Sequence, residues 1–142
     1  MTDAETRATV VVANADATVC EVLARIVEAA GHDVVRVTDP TQAGGAVISA
    51  PAEAVIFDLG AQNVDELRAL RTGGHQRGVD ARAVVIAMGP AAALLAWHAE
   101  ADAVLTRPFP AADLAQTVAE VLGRTDDERS ERRAHELAAL SS

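Results

Sequence analysis

Residues 52–63, AEAVIFDLGAQN, decide how the rest of this sequence is interpreted. They contain the apolar run AVIF at residues 54–57, which is typical of a strand buried on both faces of a parallel sheet. The run ends on Asp58, and two residues that favour turns, Gly60 and Asn63, follow it. We therefore expect the Asp58 carboxylate at the carboxyl end of a central strand, where open α/β sheets collect their ligands. Taken alone, Asp58 is more simply explained as an aspartate that hydrogen-bonds its own turn.

The rest of the chain repeats the pattern of a strand followed by a helix. Apolar β-branched runs predict the strands, and apolar residues at three- and four-residue steps predict the helices. The predicted strands are residues 8–13, 33–37, 54–58, 83–88 and 102–106, and the predicted helices are residues 17–30, 41–49, 64–70, 90–99 and 111–122. Five such units predict an α/β fold, a doubly wound five-stranded parallel sheet with helices on both faces and right-handed crossovers.

Composition limits the size, location and partners of the protein. Its 142 residues suffice for one domain with a full core, and the single cysteine, Cys20, fits that core as a small apolar residue. No apolar run approaches the roughly 20 residues of a membrane span, and the first residues lack a secretory signal, which predicts a cytoplasmic protein. A net charge of -9 argues against binding to nucleic acid or anionic membranes, so a protein partner is expected.

Sequence features of an enzyme are weak. Residues 72–78, TGGHQRG, are glycine-rich, but they follow a helix and lead into a strand, so they are interpreted as a surface loop rather than a phosphate-binding loop. The four histidines, His32, His75, His98 and His135, stand singly and are expected to be solvated. Without a nucleophile and base pair, the expectation is a non-enzyme, and an enzyme or small-molecule binder on a flavodoxin-like sheet is the least favoured alternative.

Residues 125–142 form a charged tail after the fifth unit. Opposite charges at helical spacing, Glu128 with Arg132 and Arg132 with Glu136, predict a helix. Leu137 and Leu140 give it only a thin apolar edge, so the tail is expected either to fray or to pack on a partner. The sequence is therefore divided into a domain at residues 1–124 and a tail at residues 125–142.

Three short motifs carry a family resemblance. They are VIFD at residues 55–58 with Asp65 downstream, EAAGHDVV at residues 28–35, and LTRPF at residues 105–109. In this order and at this spacing, they make residues 8–122 resemble the receiver domain of bacterial two-component response regulators. The resemblance implies the (βα)5 flavodoxin-like receiver fold, extended here by a helical tail, and a role in phosphorelay signal transduction.

The resemblance also implies a phosphorylation site that this sequence retains only in part. Asp58 takes the place of the aspartate that accepts a phosphoryl group from a sensor histidine kinase. The acidic pair that binds Mg²⁺ in the family falls on Asn14 and Ala15. Asp16, Asp58 and the Gly60 carbonyl are the remaining candidates for a weak or absent Mg²⁺ site, so no cofactor or only weakly bound Mg²⁺ is expected. Asp16 is better explained as the N-cap of the following helix.

Three further positions depart from the family pattern. Met88 takes the place of a serine or threonine hydroxyl, and Val104 takes the place of the aromatic residue that reports phosphorylation. Arg107 replaces the lysine of the family, and the chain contains no lysine anywhere. Because a guanidinium suits a carboxylate, Arg107 is expected to pair with Asp58. The resemblance also implies a cis bond between Arg107 and Pro108.

These departures predict an atypical single-domain receiver, a pseudo-receiver, that acts through protein-protein interaction without phosphorylation. The alternative is a receiver that still accepts phosphate on Asp58 with Mg²⁺. The expected partner is a histidine kinase or an output protein. The resemblance also implies that the surface of the predicted helices 90–99 and 111–122 and the strand between them is where such a domain forms a homodimer or docks its targets, and the sequence leaves open whether the chain is a monomer or a dimer. Trp97 and Val104 are interface candidates there, although packing in the core is the favoured interpretation of Trp97.

Overall fold

The computed structural model describes residues 7–141 of the chain. Within them, the elements are β1 (Thr9–Asn14), α1 (Ala17–Ala29), β2 (Asp33–Val37), α2 (Ala43–Ser49), β3 (Ala54–Asp58), α3 (Asn63–Thr72), α4 (Gln76–Asp80), β4 (Arg82–Ala87), α5 (Pro90–His98), β5 (Ala103–Thr106), α6 (Ala111–Leu122) and α7 (Asp126–Ser141). Two short 3-10 turns, Pro40–Gln42 and Gly60–Gln62, precede α2 and α3. Among the helices of residues 7–141, none combines the length and the apolar composition that a membrane span requires.

The five strands form one parallel sheet in the order β2-β1-β3-β4-β5. This confirms the predicted α/β fold class with its extra C-terminal helix. The order changes direction between β1 and β3, whose last residues, Asn14 and Asp58, stand opposite each other in register. In doubly wound sheets, a crevice opens at the carboxyl ends of the strands where the order changes direction. The sheet therefore places Asp58 beside Asn14 at that crevice.

Helices cover both faces of the sheet because side chains alternate along each strand. Val10 and Val12 of β1 face α1 and α6, where they pack with Leu23 and Leu114 among others. Cys20 also lies in this layer and is buried, as predicted, and its burial raises the pKa of the thiol. On the other face, buried residues of β1, β3 and β4 pack with α2, α3 and α5.

Two local predictions are wrong. His32 was expected to be solvated, but it is only 9% exposed, and its Nδ1 accepts a hydrogen bond from the Ala8 amide at 3.1 Å. Burial lowers the pKa of His32, because the charged imidazolium loses solvation. The loop at residues 72–78 is at the surface through His75, but α4 begins at Gln76 and Gly78 is buried. The other three histidines are exposed, as expected.

Gly78 has no room for a side chain. A Cβ placed on Gly78 would lie 2.3 Å from the backbone carbonyl oxygen of Leu70, so α3 and α4 approach each other there more closely than any other residue would permit. By contrast, a Cβ placed on Gly45 in α2 would meet nothing within 4 Å.

We expect Gly78→Ala to lower the free energy of unfolding by about 1–3 kcal/mol, because the backbone of α3 must shift to admit the methyl group. Gly45→Ala is the matched control and is expected to raise it by about 0.5–1 kcal/mol, because alanine favours a helix. Urea unfolding of the two variants and the wild type measures both changes. Equal stabilities of Gly78→Ala and the wild type would contradict the close approach.

Candidate functional site

Asp58 and Asn14 form a pair at the carboxyl edge of the sheet. The side-chain amide of Asn14 donates from Nδ2 to Oδ2 of Asp58 at 2.6 Å. Its carbonyl oxygen accepts a hydrogen bond from the Asp16 amide at 2.7 Å. Asn14 is buried, so both ends of its amide are held in place, one by the turn after β1 and one by Asp58. The register between β1 and β3 produces this contact.

Arg107 forms a bidentate ion pair with Asp58. Its Nη1 and Nη2 donate to Oδ1 and Oδ2 of the carboxylate, each at 2.6 Å. The side chain of Asp58 is only 8% exposed, and that of Arg107 is 36% exposed. Phe109 lies beneath the guanidinium, 5.9 Å from the ring centroid, and the hydrogen bonds to Asp58 raise the pKa of Arg107. The expected pairing and the expected cis Arg107-Pro108 bond are both confirmed.

Asp16 acts as the N-cap of α1. Its Oδ1 accepts hydrogen bonds from the amides of Thr18 and Val19 at 2.8 and 3.2 Å, which satisfies two donors at the start of the helix. The Asp16 side chain therefore caps α1, as the favoured interpretation of the sequence predicted. It is linked to Asp58 only through the backbone bond to Asn14.

The arrangement does not fit a Mg²⁺ site. A hard divalent cation requires several oxygen ligands that it can approach. Both oxygens of Asp58 accept from Arg107, Asn14 directs an N–H at the carboxylate, and Asp16 is engaged with α1. Within residues 7–141, no group of three or more histidine, cysteine, aspartate or glutamate side chains could hold a metal ion. Gly60, whose carbonyl was a candidate ligand, lies in the 3-10 turn after β3.

The other two predicted pocket residues, Met88 and Ala15, take no part in the hydrogen bonds to the Asp58 side chain. Met88 follows the last residue of β4 and is 78% exposed, and Ala15 is exposed in the turn after β1. Neither side chain offers a hydrogen bond to Asp58. The structure therefore joins Asn14, Asp58 and Arg107 by hydrogen bonds, while Met88 and Ala15 are exposed.

Asn63 supports the site from behind, a role that sequence analysis did not assign. Its Oδ1 accepts from the Leu59 amide at 2.7 Å, and its Nδ2 donates to the Ile86 carbonyl at 3.0 Å. This buried side chain ties the turn after Asp58 to β4. The only signal in the sequence was an asparagine soon after a buried strand, which also predicts an ordinary turn.

A second carboxylate, Asp102, pairs with three arginines, and the sequence analysis did not predict this cluster. Its side chain is fully buried, and it accepts hydrogen bonds from Arg71 of α3 at 3.0 Å and from Arg129 and Arg133 of α7 at 2.7 and 3.1 Å. The Ala83 amide of β4 donates to the same carboxylate at 2.9 Å. Donors from three elements, each about twenty to thirty residues from Asp102 in the sequence, thus meet at one side chain, which no short motif can signal.

Burial and the neighbouring charges shift the pKa values of the groups in this cluster. Burial raises the pKa of Asp102, but the hydrogen bond from Arg129 and the charge of Arg133 outweigh it, so the pKa lies below its ordinary value. Burial lowers the pKa of Arg71 to about 10, and the other guanidiniums add to that shift while Asp102 opposes it. At neutral pH, the cluster therefore contains one negative and three positive groups.

The tail is a helix that packs on its own domain. Leu137 and Leu140 of α7 pack against the buried layer that contains Trp97, together with the partly buried Val104. Trp97 is 6% exposed, which confirms core packing rather than an exposed interface position. The helical prediction is confirmed, whereas the tail is not frayed within the described residues. The homodimer through α5, β5 and α6 stays a prediction.

Comparisons with known proteins identify the fold. The sequence matches no protein-family model and no curated protein. A two-component response regulator of the LuxR family from Aurantimonas sp. SI85-9A1 has 22% identity and a TM-score of 0.72, with 94% of this chain and 96% of that chain covered. A response regulator receiver domain protein from Clostridium thermocellum has 18% identity and a TM-score of 0.71, covering 82% and 95%. The chemotaxis response regulator CheY4 of Vibrio cholerae has 16% identity and a TM-score of 0.70, covering 81% and 98%.

These matches establish that the chain has the fold of response-regulator receiver domains. At this level of identity, they concern the fold alone. The match that covers 94% of the chain is longer than residues 1–124, so it includes part of α7. The division of the chain into a domain and a tail at residue 124 stays a prediction.

We expect Arg129→Met to lower the free energy of unfolding by about 1–3 kcal/mol, because it removes buried hydrogen bonds while Asp102 keeps other partners. Arg132→Met is the matched control on the same helix. Its guanidinium pairs with Glu136 near the surface, where an ion pair contributes less than about 1 kcal/mol. Urea unfolding compares the two. Similar effects of both substitutions would show that Asp102 does not fix α7.

The contact between Arg133 and Asp102 should also depend on pH. Because the pKa of Asp102 is lower in the folded protein than its ordinary value of 3.8, its ionised form stabilises the fold above that pH. This contribution of Asp102 to the free energy of unfolding is lost as the pH falls from 3.8 through the lower pKa that Asp102 has in the folded protein. We therefore expect the stability difference between wild type and Arg133→Gln to be constant from about pH 7 to 5 and to shrink below about pH 4. Denaturant titrations at each pH test this, and a difference that grows in acid would contradict it.

Proposed function

We infer that this chain is a receiver-like module that acts in signal transduction by binding a protein partner, without phosphorylation and without catalysis of its own. One observation carries this inference. The carboxylate of Asp58 is held by both guanidinium nitrogens of Arg107 and by the amide of Asn14. The fold supports the signalling role, since the neighbouring structures are response regulators.

The chemistry of phosphoryl transfer argues against Asp58 as an efficient acceptor. The attacking carboxylate oxygen must be free, and the charge that develops on the phosphoryl group must be neutralised by a metal ion and a fixed cation. Here the cation binds the carboxylate itself, on both oxygens. The residue beside it contributes an amide nitrogen where a metal site requires an oxygen. The arrangement stabilises the unmodified aspartate rather than the acyl phosphate.

The alternative is a receiver that accepts phosphate on Asp58 from a sensor histidine kinase with Mg²⁺. One observation favours it. The Arg107 side chain is 36% exposed, so rotation into solvent would free both carboxylate oxygens without disturbing the core. In this case, Arg107 would act as a gate over Asp58 and then as the cation beside the phosphoryl group.

Acetyl phosphate with Mg²⁺ distinguishes the two functions. We expect wild-type protein to show no phosphoryl adduct by intact mass, and beryllofluoride with Mg²⁺ to leave its backbone amide NMR spectrum unchanged. Asp58→Asn is the control for modification at other sites. An adduct that depends on Asp58 and forms within minutes would establish the alternative.

A gain-of-function variant tests the physical reason for which Asp58 is expected not to accept a phosphoryl group. We expect the combined substitutions Asn14→Asp, Ala15→Asp, Met88→Thr and Arg107→Lys to restore a beryllofluoride response that depends on Mg²⁺, because they supply carboxylate oxygens, a hydroxyl and a compact cation. Adding Asp58→Asn should abolish it. A folded variant that remains inert would show that the four substituted positions are not the cause of the inactivity.

A further inference from the structure

A cavity of about 670 Å³ lies at the amino edge of the sheet, opposite the edge that carries Asp58. We call it the amino-edge cavity. Four of its lining residues stand at the starts of strands, with Ala8 before β1, His32 before β2, Glu53 before β3 and Arg82 at the first position of β4. Backbone hydrogen bonds join these starts, such as that from the Arg82 amide to the Glu53 carbonyl at 2.9 Å. The polar wall of the cavity is therefore held by the sheet, and the volume suits a small molecule.

His32 presents an unused N–H to the amino-edge cavity. The residue is only 9% exposed, and its Nδ1 accepts from the Ala8 amide at 3.1 Å, so the proton of the neutral ring is on Nε2. Among residues 7–141, no acceptor pairs with Nε2. No fully buried side-chain nitrogen or oxygen in that range lacks a partner, so Nε2 lies where the side chain is accessible, at the cavity wall. Burial lowers the pKa of His32 below 6.5, so the ring is neutral at neutral pH.

Two guanidiniums of the same wall have no close carboxylate. The side chain of Arg77 in α4 is partly buried, and among residues 7–141 it has no hydrogen-bond acceptor and no ion pair. Arg82 donates to three backbone carbonyl oxygens, and the carboxylate that pairs with it, that of Asp126, is 4.0 Å away and 82% exposed. Because partial burial weakens the solvation of both cations, an anion bound in the cavity would stabilise them.

The carboxylates of the wall limit the charge that such an anion can carry. Glu53 and Asp80 also line the cavity, and each accepts a hydrogen bond from a neighbouring donor. Arg7, at the exposed edge, forms an ion pair with Asp33. The wall therefore has no large positive excess, and a doubly charged phosphate would be repelled by the two carboxylates. A singly charged carboxylate fits the wall better.

The remaining wall is apolar and built from small side chains. It is formed by Ala30 at the end of α1 and by Ala115, Ala119 and Leu122 of α6. These residues leave room for a flat apolar group beside the donors. A ligand with an apolar ring and one carboxylate would therefore meet both parts of the wall.

From this arrangement, we propose that the amino-edge cavity binds a small organic carboxylate. The carboxylate accepts hydrogen bonds from Nε2 of His32 and from Arg77, beside the charge of Arg82, and its apolar part lies against α1 and α6. This site goes beyond the proposed function, since it lies at the other edge of the sheet from Asp58. It does not depend on whether Asp58 accepts phosphate.

Benzoate is the probe, titrated into the full-length protein and followed by backbone amide NMR. We expect saturable shifts centred on Ala8, Asp33 and Arg77, with a dissociation constant of about 1 mM, as suits a ligand of this size. No saturable shift up to about 20 mM benzoate would overturn the proposal. Shifts centred instead on Asn14 and Asp58 would place the anion at the opposite edge and would also overturn it.

Two analogues test the chemical class of the ligand. Benzamide has the shape of benzoate without its charge and should bind at least tenfold more weakly, because the charge-assisted hydrogen bonds are lost. Phenyl phosphate, doubly charged at about pH 8, should also bind more weakly than benzoate. Benzamide that binds as tightly as benzoate, or phenyl phosphate that binds more tightly, would overturn the assignment of a carboxylate.

Substitutions locate the binding. Arg77→Gln should weaken benzoate binding at least tenfold, whereas Arg68→Gln, at an exposed position of α3 outside the cavity wall, is the matched control and should not change it. His32→Asn keeps an acceptor for the Ala8 amide but removes the Nε2 donor, and should weaken binding about threefold or more. Ala119→Phe fills the cavity from the exposed side of α6 without changing any charge, and should abolish binding. Equal affinities of the two arginine variants, or normal binding by Ala119→Phe, would overturn the proposal.

Discussion

The carboxylate of Asp102 is the constraint on which the assembly of the domain depends. It sits before β5 with a fully buried side chain and takes donors from α3, from β4 and twice from α7. A buried carboxylate requires such partners, because removal from water disfavours its charge. The partners in turn fix how the C-terminal helix lies on the sheet. Through Arg129 and Arg133, α7 is therefore anchored to the core by ion pairs with a buried carboxylate.

Arginine side chains form ion pairs with both Asp102 and Asp58, but the two ion pairs lie at different depths in the protein. The donors of Asp102 are buried with it and organise the core, whereas Arg107 over Asp58 is partly exposed at the carboxyl edge of the sheet. A planar guanidinium binds both oxygens of a carboxylate at once, which a lysine ammonium cannot do. Arg107 thus engages both oxygens of Asp58 at the edge of the sheet.

Much of the fold was predictable from local patterns. The buried runs of β1, β3 and β4 were continuous and apolar, and α1 and α6 had clear helical periodicity, so the five units and their order followed directly. Some contacts at the candidate site were also predictable. The pairing of Arg107 with Asp58 and the N-cap role of Asp16 were anticipated from residue chemistry, whereas the donor from Asn14 to Asp58 was not, because it depends on the register of two strands. His32 and Gly78 were misplaced, because their burial comes from packing against distant segments.

The sequence by itself determined the parallel sheet, the position of Asp58 at its edge and the residue types that surround it. These properties follow from periodicity and from neighbours along the chain, which local physics controls. Only the tertiary structure decided that α7 folds back over Trp97 and Val104 and that Asp102 gathers Arg71, Arg129 and Arg133. The reason is that such contacts join residues about thirty positions apart, whose meeting depends on how complete helices pack rather than on any motif.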